Sequence, residues 1–319
     1  MATTHIPPAS GTPATSANGS PAPRRPWRVR GEDQRSAMGL AAPAMFLLSL
    51  FLIIPVILAF AMAFTNMRLI SPNPPRFLGL DNFVRALFED DVFRASLFNT
   101  FYFAAVVVPV QAGLGLILAL LVNQKIKGRN IFRTIYFIPV VTSMVVVSIL
   151  WRFMYQEDGL INSMISTITA GAVEGTAWLS NPATAMPAIM VLSVWQGVGF
   201  HMVIWLAGLQ TIPQYLYEAA ELDGTNRWQR FRYVTMPGLK PTMVFVLVTI
   251  TIAAFALFVQ IDVMTQGGPL DSTSTLVFYA VRKGYREQEM GYGAAISLIF
   301  FLLVLAVSLI QRYMTRDED

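Results

Sequence analysis

The chain has 319 residues, of which 55% are hydrophobic and 13% charged, and its formal net charge is +4. Soluble domains carry about a quarter of their residues as charged side chains, so this composition excludes an ordinary soluble domain and predicts a polytopic membrane protein. The chain contains no cysteine and two histidines, His5 and His201. That inventory excludes a disulfide, a thiolate site and a metal centre built from histidine and cysteine.

Residues 1–36 differ in composition from the rest of the chain. Prolines at positions 7, 8, 13, 21, 23 and 26 alternate with Ala, Ser, Thr and Gly. A segment of this kind cannot bury a core, so we predict a disordered cytosolic tail. The apolar stretch that follows is longer than the roughly 7–15 residues of a signal-peptide core, and we therefore expect it to remain as a membrane anchor.

Six apolar stretches are long enough to cross a bilayer, whose core of about 30 Å requires about 20 helical residues. They are too long to be strands of a membrane barrel. We therefore predict an all-α integral membrane fold with a transmembrane domain over residues 37–319. The predicted spans are 38–64, 97–122, 132–154, 186–208, 241–263 and 292–313.

Lysine and arginine concentrate in the tail, between the second and third spans, and between the fourth and fifth spans. Cytoplasmic loops carry such an excess, so both termini and residues 209–240 are predicted to face the cytosol. The same bias accounts for the net charge of +4, and nucleic acid is therefore not a predicted partner.

Catalytic motifs are missing from the sequence. No lysine follows the GxxxxGK[ST] pattern that wraps nucleotide phosphates, and no serine lies in a G-x-S-x-G turn. We predict a chain that is not an enzyme and that binds no cofactor of its own. If ATP drives the protein, another chain must bind it.

The loop between the fourth and fifth spans is unusually long and charged. Pro213 can open a helix over residues 214–222 that Gly224 ends, and Asn226 can cap a second helix that runs to Pro237. This pattern predicts a helix-turn-helix elbow parallel to the membrane. Ala219 and Ala220 would give it a surface of small residues that another protein can approach closely.

One motif in this loop resembles a known family. The sequence EAA-x3-G-x9-VTMP begins at Glu218, has its glycine at Gly224 and ends at Pro237. It resembles the EAA---G---------I-LP signature of permease subunits of binding-protein-dependent ABC importers, with Val234 for the usual Ile and Met236 for the usual Leu. The resemblance covers about residues 38–313. It implies ATPase coupling through Glu218, Ala219, Ala220, Asp223, Gly224 and Pro237.

A second motif narrows the resemblance. Residues 265–269 read TQGGP, followed by Ser272, Thr273 and Thr275, and this T-x-G-G-P element is similar to that of carbohydrate-type permeases, the group of maltose-like and glycerol-3-phosphate-like systems. Residues 77–83, FLGLDNF, and the pair Asn99 and Thr100 look like the same group. Gly-Gly-Pro also breaks a helix on local grounds.

The resemblance implies a set of partners and a location. A second homologous permease subunit would complete the pathway, and an extracytoplasmic solute-binding protein would deliver the solute. Two copies of a cytosolic ABC ATPase would bind ATP and Mg and dock on the elbow, where Glu218 would pair with an arginine. The complex would lie in the lipid of the bacterial inner membrane.

Polar side chains inside spans are costly and often functional, and they nominate a substrate pathway. The candidates are Gln111, Trp195, Gln196, His201, Gln260 and Asp262. Three of them also have a structural interpretation: His201 can form a hydrogen bond between helices, Gln111 can satisfy backbone loosened by Pro109, and Asp262 can lie at the level of the lipid headgroups.

Two alternatives stay open. An ion-coupled secondary transporter would show internal repeats and intramembrane carboxylates, and neither is evident. Glycerol-3-phosphate or its diesters would require cationic groups, whereas the second, fourth and fifth spans contain no lysine or arginine. The sequence therefore favours a neutral sugar, without identifying it.

Overall fold

The computed structural model describes residues 31–124, 127–172 and 175–314. Residues 1–30 of the predicted tail lie outside the described residues. Two units are distinguished, with their boundary after Pro55. The described part of the first unit is helical from Gly31 onward, which is earlier than the predicted end of the tail at residue 36.

Helices account for the regular structure of the described residues, which contain no strand, as predicted. A single antiparallel bridge joins Thr65 and Phe77. The helices are α1 (Gly31–Leu48), α2 (Ile54–Ala63), α3 (Asp81–Val84), α4 (Asp91–Asn123), α5 (Arg129–Val141), α6 (Met144–Met154), α7 (Leu160–Ile168), α8 (Pro182–Thr211), α9 (Gln214–Leu222), α10 (Arg227–Arg230), α11 (Met236–Gly238), α12 (Lys240–Phe255), α13 (Val259–Met264), α14 (Leu276–Val281) and α15 (Met290–Met314). Single π-helical turns occupy Ser49–Ile53, Arg85–Glu89, Phe231–Thr235 and Arg282–Arg286.

Five helical segments in the described residues are long and apolar enough to cross a membrane, and they match five of the six predicted spans. They are Met38–Ala63, Asp91–Asn123, Pro182–Thr211, Lys240–Met264 and Met290–Tyr313. The observed second and fourth segments begin several residues before the predicted starts, at Asp91 and Pro182, because Asp90 and Asn181 cap these helices there.

The predicted third span is not one continuous helix. It consists of α5 and α6, which are bent by 97° at residues 142–143. Pro139 lies in the last turn of α5, where it supplies no amide hydrogen, and the backbone of Thr142 is extended. A run of apolar residues shows length but not direction, so the sequence prediction could not find this bend.

The predicted fifth span is also interrupted. Helix α12 ends at Phe255 and α13 begins at Val259. The Leu257 carbonyl in this break accepts a hydrogen bond of 2.8 Å from the Thr275 hydroxyl. A side chain from a distant part of the chain therefore satisfies backbone that the helix leaves open.

Helix α8 is the most deeply buried of the candidate spans in the described residues. Its buried residues extend from Ala185 to Leu209, and it packs against α4, α5 and α12. At Gly199 a side chain would begin 1.9 Å from the Tyr136 carbonyl oxygen, so only glycine lets α5 approach this closely. The Trp205 indole donates to the Ala112 carbonyl at 3.1 Å and joins α8 to α4.

We call one end of the spans the distal end. It contains the N-termini of α4 and α15 and the C-terminus of α13. Asp90 connects three elements there: one carboxylate oxygen caps α4 by accepting from the Phe93 amide at 3.0 Å. The other accepts from the Tyr279 and Tyr292 hydroxyls at 2.6 and 2.7 Å. Burial alone would raise the pKa of Asp90, but these hydrogen bonds outweigh it and lower the pKa.

We predict that Asp90→Asn destabilises the protein at neutral pH by about 2 kcal/mol, because the neutral amide keeps the cap but loses charge-assisted bonds. Asp91→Asn is the matched control, since Asp91 is exposed and pairs only with Arg94 among the contacts described. Since the pKa of Asp90 is lowered, its stabilisation is present above about pH 4 and is lost as the pH falls through the lowered value. Thermal unfolding in nanodiscs from pH 7 downward measures this. An equal effect of both substitutions, or a wild-type advantage that grows in acid, would contradict the assignment.

Candidate functional site

We call residues 213–240 the elbow, and its first helix forms as predicted. Helix α9 spans Gln214–Leu222, directly after Pro213. Gly224 has a φ of +73°, a left-handed conformation that glycine adopts without strain. The Gly224 amide donates to the Glu221 carbonyl at 3.0 Å, and the Thr225 amide to that of Ala220 at 3.1 Å. Local sequence therefore terminates this helix.

The second arm of the elbow begins at Asn226, also as predicted. The Asn226 side chain accepts from the Gln229 amide, and the Gln229 side chain accepts from the Asn226 amide, which makes a capping box. The arm continues past Pro237 to Gly238, through a π-helical turn that the sequence did not predict.

Two polar contacts hold the arms of the elbow together. The Tyr217 and Thr235 hydroxyls share a hydrogen bond of 3.1 Å, and Glu221 lies 3.7 Å from Arg230. Between the elbow and the ends of α4 and α8 lies an open groove of about 890 Å³, with Glu218 on its wall. The elbow is thus a folded unit attached directly to α8 and α12.

Most of the predicted docking residues are on the surface of the elbow. Glu218, Ala219, Asp223, Gly224 and Pro237 are exposed. Ala220 is 9% exposed, so the expectation of a small-residue surface at both alanines is wrong for this one. Apolar side chains complete the exposed surface, namely Tyr215, Leu222, Trp228 and Tyr233.

A cavity of about 370 Å³ lies between α4, α8 and the two interrupted spans. Four of the six candidate pathway residues line it: Gln111, Gln196, His201 and Gln260. These side chains come from three separate spans, and the fold brings them to one site.

Gln111 and His201 form the buried polar centre of this cavity. Gln111 Nε2 lies 2.9 Å from His201 Nδ1, and the same ring nitrogen lies 3.0 Å from the Gly197 carbonyl. His201 therefore bridges α4 and α8, as its structural interpretation expected. The described hydrogen bond of the Gln111 side chain is to this histidine, and not to the backbone near Pro109 as expected.

Both helix breaks open onto the cavity. Val140 and Met144 line it on either side of the bend between α5 and α6, and residues 256–259 line it at the break before α13. The Gln196 side chain donates to the Pro139 carbonyl at 3.4 Å, next to the first break. The cavity is thus bordered by irregular backbone, which inside a membrane occurs where it is buried or lines a cavity.

The remaining two candidates lie elsewhere. Trp195 is half exposed, and its ring packs 5.4 Å from that of Trp151. Asp262 forms an ion pair with Arg286 at the distal end. Ser193 and Phe200 were not predicted, yet they line the cavity and share a helix face with Gln196. Their spacing of three and four residues from Gln196 was the signal that could have identified them.

Two motifs that are far apart in the sequence, the pair Asn99 and Thr100 and the segment after the TQGGP element, lie together in the structure. The Asn99 side chain donates to the carbonyls of Asp271 and Ser274, both at 3.0 Å. The Leu276 amide donates to the Thr100 hydroxyl at 3.0 Å. The irregular chain after the TQGGP element is therefore fixed against α4 by side chains of α4.

The FLGLDNF segment has a similar structural role. The Asn82 side chain is buried and donates to the carbonyls of Ala63 and Thr65, both at 2.9 Å. These carbonyls lie where the first candidate span ends, so Asn82 satisfies backbone that the helix leaves open.

Comparison with known proteins gives a consistent result. Residues 111–318 match the family described as binding-protein-dependent transport system inner membrane component. A lactose transport system permease protein of Rhizobium radiobacter is 36% identical over 87% of this chain and 93% of its own length. A trehalose/maltose transport system permease protein of Thermococcus litoralis is 36% identical over 84% of this chain and 89% of its own.

Solved structures show the same fold. A chain from a bacterial ABC transporter for the import of the acidic polysaccharide alginate superposes with a TM-score of 0.75 at 25% identity, and the match covers 89% of this chain and 97% of that one. A chain from an alginate transporter in complex with its pentasaccharide-bound periplasmic protein gives a TM-score of 0.78 at 23% identity, with coverage of 89% and 95%.

These matches cover enough of the chain to assign it to a family. Its several apolar helices fit a multi-pass protein of the inner membrane. The protein is a permease of the carbohydrate type and belongs to the family of inner membrane components of binding-protein-dependent ABC transport systems.

Proposed function

We propose that the chain forms half of the translocation pathway for a neutral sugar in an ATP-driven importer. The observation that carries the proposal is the cavity in which Gln111, Gln196, His201 and Gln260 converge between two interrupted spans. Polar groups are expensive inside a membrane, so their convergence at one site favours a role in passage of a polar solute.

The chemistry of the cavity favours a neutral sugar over an anion. Its described lining combines amide and imidazole groups with the rings of Phe103, Phe200 and Phe258, and it includes no lysine, arginine, aspartate or glutamate. Aromatic faces and neutral hydrogen bonders suit a saccharide. Relatives named for lactose and for trehalose/maltose support the same class.

Two alternatives fit the cavity less well. Glycerol-3-phosphate or its diesters would place a negative charge among groups that offer no cation. An ion-coupled secondary transporter would need a titratable carboxylate along the pathway, and the described cavity lining contains none.

The energy source in this proposal is ATP bound with Mg on partner subunits. Two copies of a cytosolic ATPase would dock on the exposed elbow, a second permease would complete the pathway, and an extracytoplasmic binding protein would deliver the sugar. The chain itself lacks a phosphate-binding loop, which supports this division of labour. The charge bias of its loops favours a cytosolic elbow.

The connection between elbow and cavity suggests how the coupling works. The elbow joins the end of α8 at Thr211 to the start of α12 at Lys240. The same two helices carry His201, Gln196 and the break near Leu257. Movement of the elbow by a closing ATPase dimer would therefore shift both walls of the cavity together.

For the elbow, we predict that Glu218→Ala weakens association with the ATPase at least tenfold, because removing one partner of a buried interfacial ion pair costs about 2–5 kcal/mol. Gly224→Val should have a similar effect, since a β-branched residue is strained at a φ of +73°. Copurification of the ATPase with the tagged permease measures both. Gly113→Ala is the control, because a β-carbon there would meet no atom within 4 Å among the described residues beyond its own helical turns. Wild-type association and transport in both elbow variants would refute the coupling role.

For the cavity, we predict that Gln196→Ala and Gln260→Ala each reduce sugar uptake at limiting concentration by up to about tenfold, the value of one lost hydrogen bond. ATPase association should be unchanged. Thr249→Ala is the control on α12, because the hydrogen bonds of Thr249 within the described residues go to carbonyls of its own helix. Uptake into proteoliposomes is the measurement, and equal uptake by all three variants would remove the cavity from the pathway.

A further inference from the structure

Helix α7 has three distinct faces. Ile161 and Ile165 are half-buried, and Asn162 is buried, so this face packs against the rest of the second unit. On one side of it lie Leu160, Met164 and Ile168, which are 56%, 54% and 80% exposed. We call these three residues the apolar stripe. The exposed side chains of the other face are polar: Ser163, Ser166 and Thr167.

Two hydrogen bonds locate the start of α7 at the distal end of the spans. The Tyr155 hydroxyl donates to the Ala188 carbonyl at 2.9 Å. Helix α8 begins at Pro182, and Ala188 is six residues further on, about 9 Å from the N-terminus of the helix. Arg152 donates to the Val263 carbonyl at 3.3 Å, close to the end of the span Lys240–Met264. Since α7 follows within a few residues, it lies near the level at which these spans end.

The Asn162 side chain fixes the rotation of α7. Its amide nitrogen donates to the carbonyls of Gln156, Glu157 and Thr176 at 2.9–3.1 Å. Its oxygen accepts from the Trp178 indole at 2.8 Å and from the Thr176 amide at 3.2 Å. A side chain with this many partners holds the helix in one orientation, so the direction of the apolar stripe is a property of the fold.

The residues around α7, on its buried side and before it in the chain, are of types common near a membrane interface. Exposed apolar side chains of α6, Leu150 and Phe153, precede it in the chain and continue the apolar exterior of the span. The rings of Trp151, Tyr155 and Trp178 pack next to one another at 5.5–6.0 Å, and such amphipathic rings are enriched where a bilayer meets water. No residue of α7 is charged.

We propose that α7 lies along the membrane surface at the distal end, with the apolar stripe in the acyl chains and the serine and threonine face in water. A helix with one apolar and one polar exposed face takes this position because each face then meets its own solvent. The contact would anchor the segment that joins α6 to α8. It depends on the membrane assignment of the spans and on no feature of the transport proposal.

Site-directed spin labelling tests this placement. The chain contains no cysteine, so each variant carries one labelling site on this subunit. Leu160→Cys, Met164→Cys and Ile168→Cys report on the apolar stripe; Ser163→Cys, Ser166→Cys and Thr167→Cys are matched controls on the same helix. Collision of the label with oxygen, which concentrates in lipid, is compared with collision with a water-soluble nickel chelate. The full chain is measured with its copurified partners in lipid nanodiscs.

The proposal predicts a higher ratio of oxygen to nickel collisions at the apolar stripe than at the control positions, in every variant that assembles. The ratio should change from high to low between neighbouring positions within one helical turn. Nickel-dominated collisions on both faces would place α7 in water and overturn the proposal. Low collision with both reagents at the stripe would show that another protein covers it, which also overturns the proposal. Three positions on each face keep the test decisive if one variant fails to assemble.

Discussion

The constraint on which this structure depends is that a bilayer offers no water to backbone groups that a helix leaves open. Three irregular segments of the described chain meet it with a side chain from elsewhere. Gln196 donates to the Pro139 carbonyl beside the bend between α5 and α6, and Thr275 donates to that of Leu257 between α12 and α13. Asn82 does the same where the first candidate span ends. The breaks are therefore specified features of the fold.

These breaks also create the site. The bend at residues 142–143 and the break at residues 256–258 both border a cavity with neutral polar groups around it. Helix α8 connects that cavity to the elbow, and the close approach of α5 at Gly199 ties the bent pair to the same helix. One continuous helix therefore runs from the wall of the cavity to the start of the elbow.

Features set by neighbouring residues could be predicted from the sequence, and features set by distant ones could not. The ends of α9, the turn at Gly224 and the cap at Asn226 follow from local chemistry and were predicted correctly. The hydrogen bonds of Asp90 to two tyrosines join residues about two hundred positions apart, and nothing local indicates them. Gln196 lines the cavity and adjacent Trp195 does not, because the rotation of α8 about its axis decides which side chain points inward.

The central claim, that ATP on partner subunits drives a neutral sugar through this permease, is tested most directly by uptake into proteoliposomes that contain the whole transporter. The probe is the labelled saccharide that most stabilises the copurified binding protein, and ion gradients are collapsed throughout. The account predicts uptake when ATP and Mg are present on the elbow side and the binding protein on the other, and none when ATP is withheld. Uptake that continues without ATP, or that an ion gradient restores, would contradict it.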